Sequence, residues 1–120
     1  MRLRGITDYN LVERYTLLAF IAGEAALGEP VCLHTRIHKF FCVRCLMAEY
    51  LRRKGFQIKQ IGSILDKHHS EVLYMLNKVE IMKDWSEFRE LRRIFIKTIK
   101  KYESENKKDS SGCGDTFQNV

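Results

Sequence analysis

Proline occurs once in this chain of 120 residues, and glycine seven times. That is too little turn chemistry for a loop-rich all-β design, in which frequent chain reversals call for one or the other. Long apolar runs are missing too. The stretch "TLLAFIAGEAAL" is interrupted by Glu24 and falls well short of the ~20 residues that span a bilayer. The opening "MRLRGITDYNLVERY" has no early apolar run, so a cleavable secretory signal is not expected. Four cysteines, at 32, 42, 45 and 113, do not form the pattern of a secreted disulfide framework. The expectation is a soluble, cytoplasmic protein with reduced thiols. Catalytic signatures are also lacking. There is no G-x-x-x-x-G-K-[ST] phosphate loop, no H-E-x-x-H, and no Ser-His-Asp set with local context. An enzyme is therefore not expected, and neither a cofactor, a bound nucleotide nor a membrane partner is.

What is present points to one helical domain. Hydrophobic residues make up 45% of the chain, with seven Phe, five Tyr and one Trp, enough for a single modest core. Charge is distributed unevenly. Residues 1–30 carry three basic and four acidic side chains, and residues 103–120 carry two and four. Residues 31–102 carry sixteen and seven, a net of +9. A cationic central segment flanked by acidic ends suits contact with a polyanion, and the competing reading is a solvated lysine-rich surface.

Apolar spacing predicts an all-α, compact helical bundle. A first helix is expected over about residues 10–27, capped by Asp8 or Asn10, with Leu11, Tyr15, Leu18, Ala22 and Ala25 on one face. "LGEP" stops it at Gly28 and Pro30. A second helix is expected from about Thr35 to Arg53, with a stripe of Ile37, Phe41, Cys45, Ala48 and Leu51, widened by Phe40, Met47 and Tyr50, and Gly55 as its stop. A short helix with Ile58, Ile61 and Leu65 follows, then a tight turn, then a longer helix with Val72, Met75, Leu76 and Val79. Asp84 or Ser86 caps a last helix whose buried side carries Phe88, Leu91, Phe95, Ile99 and Tyr102. The domain division expected is residues 1–30 as N-terminal helix and linker, 31–102 as the functional domain, and 103–120 as a disordered polar tail.

Residues 58–75 have helix-turn-helix spacing. Ile61, Leu65, Val72 and Met75 occupy the positions that must be apolar for two short helices to pack across each other. Gly62 sits where they approach most closely, Asp66 opens the turn, and His69 or Ser70 can cap the second helix. In such a unit the second helix enters the major groove of DNA and its first turn meets base edges. His68, His69 and Ser70 carry base-reading chemistry, Glu71 can accept from a cytosine amino group, and Tyr74 can reach a thymine methyl. Lys67, Lys59, Arg52, Arg53 and Lys54 are candidates for phosphate contact. "RRK" also reads as a solvated helix end whose cations favour the C-terminal dipole, and the two histidines as a plain cap and turn.

The stretch "IKQIGSILDKHHSEVLYMLNKVEIMKDWSEFRELRRIF" resembles the C-terminal DNA-binding domain of the bacterial chromosomal replication initiator DnaA. Ile61-Gly62 matches the family's Ile-Gly, and Lys67-His68-His69-Ser70-Glu71-Val72-Leu73 lies over its Arg-Asp-His-Thr-Thr-Val-Leu. Lys78-Val79 falls on its Lys-Ile. The resemblance covers roughly residues 34–101. It implies a Trp-repressor-like helical fold, sequence-specific binding of double-stranded DNA, and phosphate contact at Lys78. The family inserts an arginine from the loop before the long helix into the minor groove, and Arg36 is the nearest candidate for it here. His68 stands where the family has Asp, Glu71 where it has Thr, and the turn is one residue shorter. The role implied is regulation of replication, transcription or a mobile element by a DNA-binding module without the initiator's ATPase domain.

Two other readings stay beside it. "VCLHTRIHKFFCVRC" offers Cys32, His34, Cys42 and Cys45 as zinc ligands. On a continuous helix, however, His38 and Cys45 are ~10 Å apart at ~1.5 Å per residue, too far to share one ion. Cys42 with Cys45, or His38 with Cys42, could still share one, helped by Cys32 and His34, whereas the resemblance makes this region the long helix supporting the reader, with Cys42 and Cys45 as small core hydrophobes. The third reading is a helical adaptor, in which the fourth helix or the first meets a protein partner or a second copy of the chain.

Overall fold

Glycines with positive φ, Gly28 at 76° and Gly55 at 101°, end the first two helices where the sequence places its stops. The computed structural model describes residues 9–111, and all regular structure in that span is helical: α1 (Tyr9–Leu27), α2 (His38–Arg53), α3 (Ile58–Leu65), α4 (His69–Met82) and α5 (Ser86–Ser111). None of these helices is long and apolar enough to cross a membrane. The Asp8 cap, Cys113 and the rest of residues 112–120 lie outside the described residues.

α2 is the axis of the bundle, with α1, α3, α4 and α5 all packed against it. Cys42 through Ala48 are buried without a break, together with Phe40, Tyr50 and Leu51. Burial takes in most of the widened stripe and extends past it to Cys42, Val43, Arg44 and Leu46, because the middle of α2 is surrounded on every side. Ile37, which headed that stripe, is 58% exposed. The helix begins at His38 rather than Thr35, whose hydroxyl accepts the Ile37 N–H at 3.2 Å in the preceding turn.

α1 packs on α5 and α2 through Leu18, Ala19, Ala22, Gly23, Ala26 and Leu27. Ala25, expected on this face, is exposed, because the register follows Ala22 to Ala26. The packing therefore runs across the boundary expected near residue 30. At the other end α5 continues past Tyr102 to Ser111 rather than giving way to a disordered tail at 103. Glu103 ties that extension to α2: its carboxylate accepts from Lys54 Nζ at 2.9 Å and from the Tyr50 hydroxyl at 3.3 Å.

α3 and α4 form the expected pair. Ile61, Gly62 and Leu65 of the first helix and Val72, Met75, Val79 and Met82 of the second are buried. Between them Asp66 takes the left-handed conformation, φ 57° and ψ 50°, and the Lys67 N–H returns to the Gly62 carbonyl at 2.8 Å. That is a helix C-terminal motif with Asp in the position where glycine is commonest. The Lys67 carbonyl lies where a side chain on Gly62 would begin, 2.5 Å from a Cβ built there.

Candidate nucleic-acid interface

With its apolar side turned inward, α4 leaves His69, Ser70, Glu71 and Tyr74 exposed on and just beyond its first turn. These four candidates share one accessible surface. His68 differs in role. It caps α4, its Nδ1 accepting the Ser70 N–H at 3.2 Å with the Ser70 hydroxyl at 2.9 Å. Capping had been expected of His69 or Ser70. A ring nitrogen from His68 satisfies the same open backbone donor. The His68 and His69 rings sit 4.2 Å apart, so together they form the aromatic lip of the turn.

The candidate phosphate contacts separate into two groups. Arg52 donates to the Phe56 carbonyl at 2.9 Å, Arg53 pairs with Glu49 at 3.2 Å, and Lys54 pairs with Glu103 while lying over the rings of Tyr15 and Tyr50. These three cations have partners within the fold and gather at the C-terminal end of α2. Lys59 is exposed on α3 and Lys67 half-buried in the turn, both close in sequence to the α4 surface. Arg36 and Lys78 come together at the opposite end of α2, ~20 Å along its axis from Arg53.

There the helices frame an open groove of about 550 Å³ between the N-terminal half of α2 and the outer side of α4. Its wall is a row of rings: Trp85 to His38 at 5.8 Å, His38 to Phe41 at 6.4 Å, and Phe41 to Tyr74 at 6.1 Å. Lys78 Nζ lies 5.9 Å from the Tyr74 ring, and the Arg44 guanidinium lies 5.9 Å from Phe41. Arg44 is the one charged side chain in the core of the described residues, 6% exposed. It donates to the Cys32 carbonyl at 3.2 Å, while its buried Nε has no hydrogen-bond partner. Burial holds its guanidinium below the ordinary arginine range, against a weaker opposing pull from the Glu71 carboxylate. Sequence reasoning missed Arg44, Phe41 and Trp85 as site residues. The readable signal was an arginine at a position where the helical pattern demands an apolar residue.

The cysteines divide between surface and core. Cys32 is exposed, while Cys42 and Cys45 are buried in α2, with Cys42 Sγ 3.4 Å from His38 Nε2 and 3.9 Å from Met82 Sδ. His34 instead faces Asp66 at 3.2 Å. Among the described residues no three His, Cys, Asp or Glu side chains converge to hold a metal ion. Burial pushes the Cys42 thiol from 9.0 up to about 11, aided by the charge of Glu87. It pushes Cys45 from 9.0 up to about 12, aided by Cys42. Both groups are therefore neutral thiols near neutral pH.

A folded-state pKa above the unfolded one gives a contribution that is complete below about pH 9 and is lost as pH rises toward 11 to 12. Each thiol adds a slope of up to about 1.4 kcal/mol per pH unit in that window. Urea unfolding at pH 8 and pH 10 should show this alkaline loss, and the Cys42→Ala/Cys45→Ala protein should show less of it. Equal losses in the two proteins would place the titration elsewhere.

Set beside known proteins, the chain finds no counterpart: no protein-family model, no curated protein and no solved structure matches it.

Proposed function

We propose that the chain binds double-stranded DNA sequence-specifically, with α3 and α4 as a helix-turn-helix and α4 as the helix that enters the major groove. The observation that carries this reading is the outward face of α4. Its first turns present His69, Ser70, Glu71 and Tyr74 to solvent, while the left-handed turn at Asp66 and the Gly62 contact hold the helix in place. Fourteen residues give α4 a length of ~21 Å, enough to lie along a groove ~12 Å wide. Lys59 and Lys67 supply phosphate contact beside it, with Arg36 and Lys78 further along. A cytoplasmic location and regulation of replication, transcription or a mobile element go with this reading.

Fluorescence anisotropy against a random-sequence duplex pool tests it, at low and moderate salt. Wild type should bind, select a sequence and weaken steeply with salt, with a slope of ~0.9 per phosphate neutralised. His69→Ala/Ser70→Ala should lose selectivity, at ~1–3 kcal/mol for each well-made base contact. Lys59→Glu/Lys67→Glu should lose affinity for all sequences and flatten the salt dependence. The second reading is the helical adaptor, favoured by Leu73 and Ile81, which are 47% and 56% exposed on α4. Absence of duplex binding at low salt would set the DNA reading aside in its favour.

A further inference from the structure

We propose that the groove between α2 and α4 binds a nucleoside phosphate unit, with the base laid against the Tyr74–Phe41–Trp85 wall and the phosphate facing Arg36, Arg44 and Lys78. The inference shares Tyr74, Arg36 and Lys78 with the duplex reading, but it rests on Arg44 and the groove, and His69 and Ser70 take no part in it.

Arg44 motivates it. A buried cation normally has a carboxylate or a full set of carbonyl partners, because an uncompensated charge in the interior is costly. Arg44 has one carbonyl, an aromatic face and an unpartnered Nε, and it forms no ion pair within the described residues. The pull of the Glu71 carboxylate on it is weaker than the effect of burial. An anion in the groove would supply the missing charge. Arg36 and Lys78 line the same space, so three cations face a volume of about 550 Å³, within the range of small-ligand sites.

The second half of the ligand follows from the rings. Tyr74 and Trp85 are 53% and 42% exposed, and Phe41 stands between Tyr74 and His38. Exposed aromatic faces edged by cations suit a planar ring carrying an anionic group, since bases stack on such faces without sequence preference. A simple anion would leave these rings unused, and an apolar ligand would leave Arg44 uncompensated. The groove is open along its length, so the same chemistry can come from a free nucleotide or from an unpaired nucleotide within a single strand.

Trp85 is the chain's single tryptophan, so its fluorescence reports the groove directly. The full chain should be titrated with dAMP, deoxyadenosine, inorganic phosphate and a short oligo(dA). Saturable quenching by dAMP is expected, with deoxyadenosine weaker by tenfold or more and phosphate silent. Tyr74→Ala and Arg36→Glu/Lys78→Glu, changes at two exposed residues and the half-buried Lys78, should each weaken dAMP about tenfold without altering the thermal midpoint. Oligo(dA) binding far more tightly than dAMP identifies a single strand as the source, and equal affinity identifies the free nucleotide. His69→Ala/Ser70→Ala should leave the quenching unchanged, so loss of duplex selectivity and loss of groove binding read out separately. Absence of saturation by dAMP and by oligo(dA) at millimolar concentration overturns the proposal. So does quenching that is equal for deoxyadenosine and indifferent to the groove variants.

Discussion

Phe56→Ala is expected to remove about 3–5 kcal/mol of stability, the range for truncating a fully buried aromatic side chain. A domain of this size holds roughly 5–15 kcal/mol in all, so the variant should lie close to its unfolding midpoint. Phe56 is 0% exposed at the corner between α2 and α3. Its ring meets Tyr15 of α1 edge to face at 6.2 Å, its N–H donates to the Leu51 carbonyl at 3.1 Å, and its carbonyl accepts from Arg52 at 2.9 Å. One residue therefore ties the corner to both α1 and α2, and the void left by alanine cannot close without moving the hydrogen-bonded corner. Urea unfolding followed by circular dichroism measures the loss. A change under 1 kcal/mol would show that the corner relaxes around the void and that the α1 contact is not structural.

Gly62→Ala is expected to cost about 2–3 kcal/mol, although alanine favours an isolated helix by ~1 kcal/mol over glycine. The two effects oppose each other, and geometry decides between them. An added Cβ lies 2.5 Å from the Lys67 carbonyl oxygen, and that oxygen is backbone, held by the turn that Asp66 begins. The far end of a flexible side chain could swing away, whereas this carbonyl moves only if the α3–α4 turn opens. Val72 Cγ2, at 3.7 Å, is in ordinary contact and adds nothing. The variant should thus lose stability and displace α4 relative to α3. Equal or higher stability for Gly62→Ala in urea unfolding would show that the helices separate at no cost.

The α3–α4 unit was readable because its requirements are local. Ile61, Leu65, Val72 and Met75 fall inside 15 residues, and each is apolar for the same packing reason that the structure displays. Gly62 was legible too, although the atom it avoids is the turn carbonyl of Lys67 rather than a side chain of the facing helix. The cap was misplaced by one or two residues because a histidine nitrogen can serve where serine was the obvious choice. Local reasoning failed where charge pairs bridge distant segments. "RRK" looks like free cation in sequence, yet Lys54 is engaged by Glu103, 49 positions later.

By itself the sequence determined the helices and their stops. The apolar repeat, the near absence of proline, and glycines at 28 and 55 act over three or four residues and are independent of the rest of the chain. Only the tertiary structure decided which charges are free and what they surround. Arg36 and Arg44 precede Tyr74, Lys78 and Trp85 by about thirty residues or more, and no periodicity links them. They meet because burying α2 on every side brings α4 across its N-terminal half, and that packing leaves a cation and a row of rings facing one open groove.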